Sequence, residues 1–160
     1  MYQFNIDTAA TKIELYRELI RSADALTASE ADGVANMANI AALLWEFLPD
    51  VNWTGFYRVV GDELVLGPFQ GKAACIRISF GEGVCGAAAA TGETQLVKDV
   101  HSFPGHIACD ANSMSELVVP VKRGGRVIAV IDLDSPTSMR FDKDDAAGIE
   151  ALAALLSSRI

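Results

Sequence analysis

The chain has 160 residues, 51% of them hydrophobic and 21% charged, which suits one ordered domain with a sizeable core. Thirteen basic against twenty-one acidic residues leave a net charge of −8, a field that repels phosphate backbones and anionic membranes and argues against a nucleic-acid role. The opening MYQFNIDTAATKIEL has no basic n-region or apolar h-region, and the richest apolar run, 40–48, is broken by Glu46 and too short for a bilayer, so a cytoplasmic protein with no membrane partner is expected.

Taken in order, residues 8–28 predict an amphipathic helix with Ile13, Tyr16, Ile20 and Ala23 on its inner stripe. Asp32-Gly33 opens a second helix, along which Val34, Met37, Ala38, Ala41, Leu44, Trp45 and Leu48 keep helical spacing until Pro49-Asp50 stops it. The period then falls to two. Residues 51–60 and 63–69 read as strands around a Gly61-Asp62 turn, with Trp53 and Tyr57 on one face. Residues 73–78 read as a third strand, with Cys75 facing away from Ala74 and Ile76. After Gly81-Glu82-Gly83, residues 84–91 form a short helix or tight loop of small residues around Cys85, and 95–98 an edge strand. Residues 117–122 and 126–133 make a hairpin about Gly124-Gly125, and Asp142 caps a last helix with Ile149, Leu152 and Leu156 inside. Helices at both ends of the chain with mostly antiparallel strands between them predict a single α+β domain over 1–160.

The least regular stretch, HSFPGHIACDANSMSE (101–116), lies between regular elements and holds both histidines and Cys109. Such a loop, carried by a scaffold, is a place for chemistry. Three cysteines, Cys75, Cys85 and Cys109, are an odd number, and their separations of ten and twenty-four residues do not match zinc spacing, so neither a disulfide framework nor a metal site is expected. A free cysteine is most often a small buried hydrophobe. His106 could lower the Cys109 pKa and Asp110 opposes it, so local charge does not decide its reactivity.

Asp132 and Asp134 end an apolar strand, VIAVIDLDS, and period two sets both on one face with Ile128 and Val130. They are either a wet strand end or the floor of an acidic pocket, where crowding would make one carboxyl keep its proton and act as a general acid. Glu116, on the partner strand, is the natural third member. Strict register from the Gly124-Gly125 turn sets it opposite Leu133, on the wrong face. A bulge near Pro120 would shift that register; alternatively Glu116 curls over the strand end. Trp53 and Tyr57 are either core aromatics or a pocket wall.

The motifs NWTGFY (52–57), LGPFQGKAAC (66–75), GEGVCG (81–86), DVHSFPGHIACDANSMSE (99–116) and IDLDS (131–135) resemble those of the free methionine-(R)-sulfoxide reductases, single-domain enzymes with a GAF fold. The likeness runs from Val51 to the last helix; the two N-terminal helices carry no motif. The resemblance implies Cys109 as the nucleophile that becomes a sulfenic acid, and Cys75 as the thiol that resolves it to a disulfide reduced by thioredoxin. It implies that Glu116, Asp132 and Asp134 bind and protonate the sulfoxide oxygen, and that Trp53 and Tyr57 receive the substrate side chain. Cys85 stands at the third cysteine position as an auxiliary thiol, and its alanine setting points to packing. No metal or organic cofactor is implied, and a homodimer is. A GAF fold alone also suits a sensory module that binds a small ligand without turnover. A thiol peroxidase would not call for the acidic cluster.

Overall fold

A computed structural model describes residues 4, 6, 7, 9–105 and 112–160. Two helices come first. α1 (Lys12–Thr27) starts at Thr11, whose side chain accepts from the Glu14 amide while the Glu14 carboxylate accepts from the Thr11 amide, a reciprocal cap. Its buried stripe is Tyr16, Leu19 and Ala23; Ile13, expected inside, is 59% exposed. α2 (Gly33–Phe47) is capped by Asp32, as its sequence suggests. The helix buries Met37, Ile40, Ala41, Leu43, Leu44 and Phe47, while Val34 and Trp45 lie in solvent. The inner stripe is therefore rotated by about a residue from the spacing that includes Val34 and Trp45.

Six strands form one antiparallel sheet in the order β3-β2-β1-β6-β5-β4. They are β1 (Trp53–Val60), β2 (Glu63–Gly71), β3 (Arg77–Ser79), β4 (Gln95–Val97), β5 (Ser115–Arg123) and β6 (Arg126–Ser135). β3 is shorter than expected: 73–75 carry no strand pairing, so no alternation governs Cys75. Instead Ala74 and Cys75 both pack inward, and Ile76 is 70% exposed. The ambiguous segment after Gly83 is a helix, α3 (Gly83–Thr91). A Cβ on Gly86 would lie 2.3 Å from the Ser79 carbonyl oxygen, so only glycine lets this helix sit so close to the end of β3.

The last helix, α4 (Lys143–Leu156), begins in a second reciprocal cap, Asp142 with Asp145. It joins α1 and α2 on one sheet face over a core that includes Leu19, Ile40, Leu44, Phe56, Leu117, Ile131, Leu133, Ile149 and Leu152. α1 and α4 meet at Gly148, where a Cβ would lie 2.3 Å from the Tyr16 ring. Beside it, the fully buried Asp145 accepts from Tyr16 Oη at 2.8 Å and Lys12 Nζ at 2.7 Å, with Arg140 at 3.3 Å. Three partners offset the desolvation of that carboxylate. The opposite sheet face carries a second, smaller core around Trp53, Tyr57, Leu64, Ile78, Val84, Cys85 and Val130, covered by α3 and the 72–75 segment.

Candidate active site

The second core opens into a cavity of about 40 Å³ lined by Trp53, Tyr57, Lys72, Cys85, Glu116, Asp132 and Asp134 among others. Sheet register builds its floor. On β6, Asp134 lies opposite Trp53, Asp132 opposite Gly55 and Val130 opposite Tyr57. On the other side Glu116 lies opposite Asp134 and Val118 opposite Asp132. Directly paired residues share a face, so all three carboxylates and both aromatics point into the same space.

That pairing depends on an irregularity in the β5–β6 hairpin. Lys122 pairs with Val127, but Val121 pairs with Ala129, leaving Ile128 as an extra residue in β6. This bulge, not one at Pro120, shifts the register by one and brings Glu116 onto the aspartate face. The same insertion turns Ile128 to the opposite core, while Val130 stays with the pocket.

The wall is a three-ring stack. Trp53 lies 5.2 Å from the Phe69 ring at 13° and 5.8 Å from the Tyr57 ring at 22°. Gly55 makes the stack possible: a Cβ there would fall 2.4 Å from Phe69 Cβ and 2.7 Å from the far edge of Trp53. The polar ends of the two rings fasten the segment above them. Trp53 Nε1 donates to the Lys72 carbonyl at 3.1 Å, and Tyr57 Oη donates to the Cys75 carbonyl at 3.0 Å. Cys75 is disulfide-bonded and Cys85 is a free, buried thiol. Cys109 and His106 lie outside the described residues.

The electrostatics favour a held proton. Glu116 and Asp132 are each 6% exposed. Burial, then the charges of Asp132 and Asp134, push the Glu116 carboxyl well above its ordinary value, and it donates to Asp132. Burial pushes Asp132 up to about 7, opposed by hydrogen bonds from the Cys85 thiol and Glu116. Two close carboxyls in a dry site cannot both ionise cheaply, so the pair retains a proton near neutral pH. Burial and the neighbouring carboxylates likewise raise Cys85, which remains a protonated thiol. Its place against Asp132, inside the pocket, goes beyond the packing role its alanine neighbours suggested. Tyr57 is also raised, by burial first and then by Asp132.

A carboxyl that can give up a proton, an aromatic wall and the free thiol of Cys85 thus meet in one cavity, and the carbonyl of the disulfide-bonded Cys75 is tied to that wall through Tyr57. The GAF domain family model matches residues 36–160. The free methionine-R-sulfoxide reductase of Escherichia coli K12 is 50% identical over 91% of this chain and 88% of its own length. That of Saccharomyces cerevisiae is 42% identical over 96% and 89%. The chain belongs to the free methionine-R-sulfoxide reductase family of GAF-domain proteins. The X-ray structure of the Neisseria meningitidis free methionine-R-sulfoxide reductase in complex with its substrate superposes with a TM-score of 0.95 and 47% identity, covering 99% of this chain and 95% of that one. Among the described residues, no helix is long and apolar enough to cross a membrane.

Sequence reasoning named Trp53, Tyr57, Cys85, Glu116, Asp132 and Asp134 among the residues of this cavity. It missed Gly55, Phe69 and Lys72. Gly55 and Phe69 lie within the motifs NWTGFY and LGPFQG, and strand pairing of Gly55 with Phe69 was the signal that could have joined them.

Proposed function

We propose that this enzyme reduces free methionine-(R)-S-oxide to methionine with Cys109 as nucleophile and Cys75 as resolving thiol. The Cys109 thiolate attacks the sulfoxide sulfur while the Glu116–Asp132 pair supplies a proton to the oxygen, which is a very poor leaving group until protonated. The hydroxyl then passes from the methionine sulfur to the Cys109 sulfur as the transient sulfur–sulfur bond breaks, so methionine departs and Cys109 is left as a sulfenic acid. The Cys75 thiol then attacks that sulfur, a disulfide forms and water leaves. A dithiol such as thioredoxin reduces the disulfide by exchange. Every electron comes from thiols, so the cycle balances with no metal or organic cofactor.

The observation that carries this reading is the proton-holding Glu116–Asp132 pair beneath the Trp53–Tyr57 wall, whose Tyr57 hydroxyl holds the carbonyl of the disulfide-bonded Cys75. The roles of Cys75 and Cys109 rest on the resemblance of the motifs LGPFQGKAAC and GHIACD that carry them. The acidic floor also suits the free amino acid, whose ammonium can pair with Asp134 or Asp132, whereas a peptide-bound residue has no such charge. The test is NADPH consumption in a thioredoxin-coupled assay given each sulfoxide epimer and the N-acetyl derivative. Turnover of only the free R epimer is expected. Binding without turnover would return the chain to a ligand-sensing role, and equal reduction of the blocked derivative would remove the ammonium argument.

A further inference from the structure

We propose that Cys85, Glu116 and Asp132 form a binding site for a thiophilic divalent cation of the zinc type, which blocks the pocket when it binds. Each of the three offers one ligand atom, and these atoms lie within 4.8 Å of one another. They come from three different elements, α3, β5 and β6, so the sheet and helix packing hold them together. All three are at least 94% buried, with exposures of 4%, 6% and 6%. Most telling is Asp132 Oδ1, a buried oxygen with no hydrogen-bond partner. A buried acceptor left unmatched is costly, and a cation or a substrate group would satisfy it.

The donor set selects the ion. One sulfur and two carboxylate oxygens suit zinc or cobalt, whereas calcium takes six to eight oxygens and magnesium keeps several waters. Bonds of about 2.0–2.3 Å in a tetrahedron set ligand atoms roughly 3.3–3.8 Å apart. The cluster therefore closes by about 1 Å, within the reach of side-chain rotation. The fourth position faces the cavity, whose 40 Å³ has room for a water at about 10–15 Å³ each. Binding is not redox chemistry: the ion displaces the thiol proton and the proton shared by the two carboxyls, so affinity rises with pH. Loss of that shared proton and occupation of the floor both oppose sulfoxide reduction. Because Cys85 is the free thiol while Cys75 is in a disulfide, the site exists in the oxidised protein, when turnover is halted.

The experiment uses the full chain, oxidised until one thiol titrates per molecule, with cobalt(II) as the probe. Binding of one equivalent is expected, with a thiolate-to-cobalt charge-transfer band, tetrahedral visible bands and proton release. Zinc should displace the cobalt, and Cys85→Ser should lose the charge-transfer band. If that variant does not fold, Glu116→Gln should weaken cobalt binding by at least about tenfold. Absence of the band in the native chain, its persistence in Cys85→Ser, or unchanged affinity in Glu116→Gln would each overturn the site. The titration contains neither substrate nor reductant, so its failure leaves the reductase reading standing, and failure of the reductase assay leaves the metal site standing.

Discussion

Replacing Asp132 by asparagine should make the protein more stable at high pH while impairing its chemistry. The Asp132 carboxyl moves from an ordinary 3.8 in the unfolded chain to about 7 in the fold, mainly through burial. Between those values the folded state binds more protons than the unfolded one, so native stability falls as pH rises through that window. From pH 5 to pH 7 the unfolded aspartate is already ionised while the folded one is not, a loss of about 3 kcal/mol at roughly 1.4 kcal/mol per pH unit. Asparagine does not titrate. The stability of Asp132→Asn relative to the native chain should therefore move in the variant's favour by about 3 kcal/mol between pH 5 and pH 8. Glu116, relieved of a charged neighbour in the variant, adds in the same direction. Urea unfolding of both chains at the two pH values measures the difference directly. A gap that stays constant with pH, or one that closes as pH rises, would refute a buried carboxyl poised near neutrality.

Four further outcomes are expected. Cys109→Ser should form no methionine, and Cys75→Ser should give about one equivalent and then stop, as read by quenched-flow product analysis. Glu116→Gln should lower turnover by about 10²–10⁴-fold, the cost of losing a general acid, with full activity removing that role, whereas Asp134→Asn should raise KM if that carboxylate pairs the substrate ammonium. Gly55→Ala forces a methyl into Phe69 and Trp53 and should cost about 1–3 kcal/mol in urea unfolding while raising KM for the sulfoxide. Asp145→Ala leaves Lys12 and Arg140 without their buried partner and should cost about 3–5 kcal/mol, far from the pocket and without a change in KM.

The helices and hairpins were legible because their signals are local. Asp32 and Asp142 cap the helices the sequence assigns them, and Gly61-Asp62 and Gly124-Gly125 turn the hairpins expected of them. The errors are tertiary. Ile13, Val34 and Trp45 fit a helical stripe as well as the residues that are buried, and only the placement of the sheet decides which side faces inward. The Ala73–Ile78 run looks like a strand by composition. Its first half instead crosses the pocket mouth, held by the Trp53 indole and the Tyr57 hydroxyl, bonds that pair residues eighteen and nineteen positions apart.

The site itself turned on one residue. Period two places Asp132 with Asp134 unaided, but Glu116 joins them only if the hairpin gains an extra residue, and nothing in the run RVIAV announces which one. Ile128 is apolar like its neighbours, so either side of the sheet accepts it, and burial gives no penalty that would locate the bulge from sequence. The structure resolves this through the two cores: Ile128 and Ala129 both pack with the helical side, and the alternation resumes from Val130 with the pocket. A single unpaired isoleucine thus decides whether the third carboxylate lies beside Asp132, where crowding and burial make it hold a proton, or on the far face opposite Leu133, with Leu117 turned to the pocket instead. The second placement would bury a carboxyl without a partner at a cost of several kcal/mol, a large share of a fold's net stability. The bulge is therefore the feature that reconciles the strand pairing with the acidic floor, and it links the packing of the sheet to the chemistry above it.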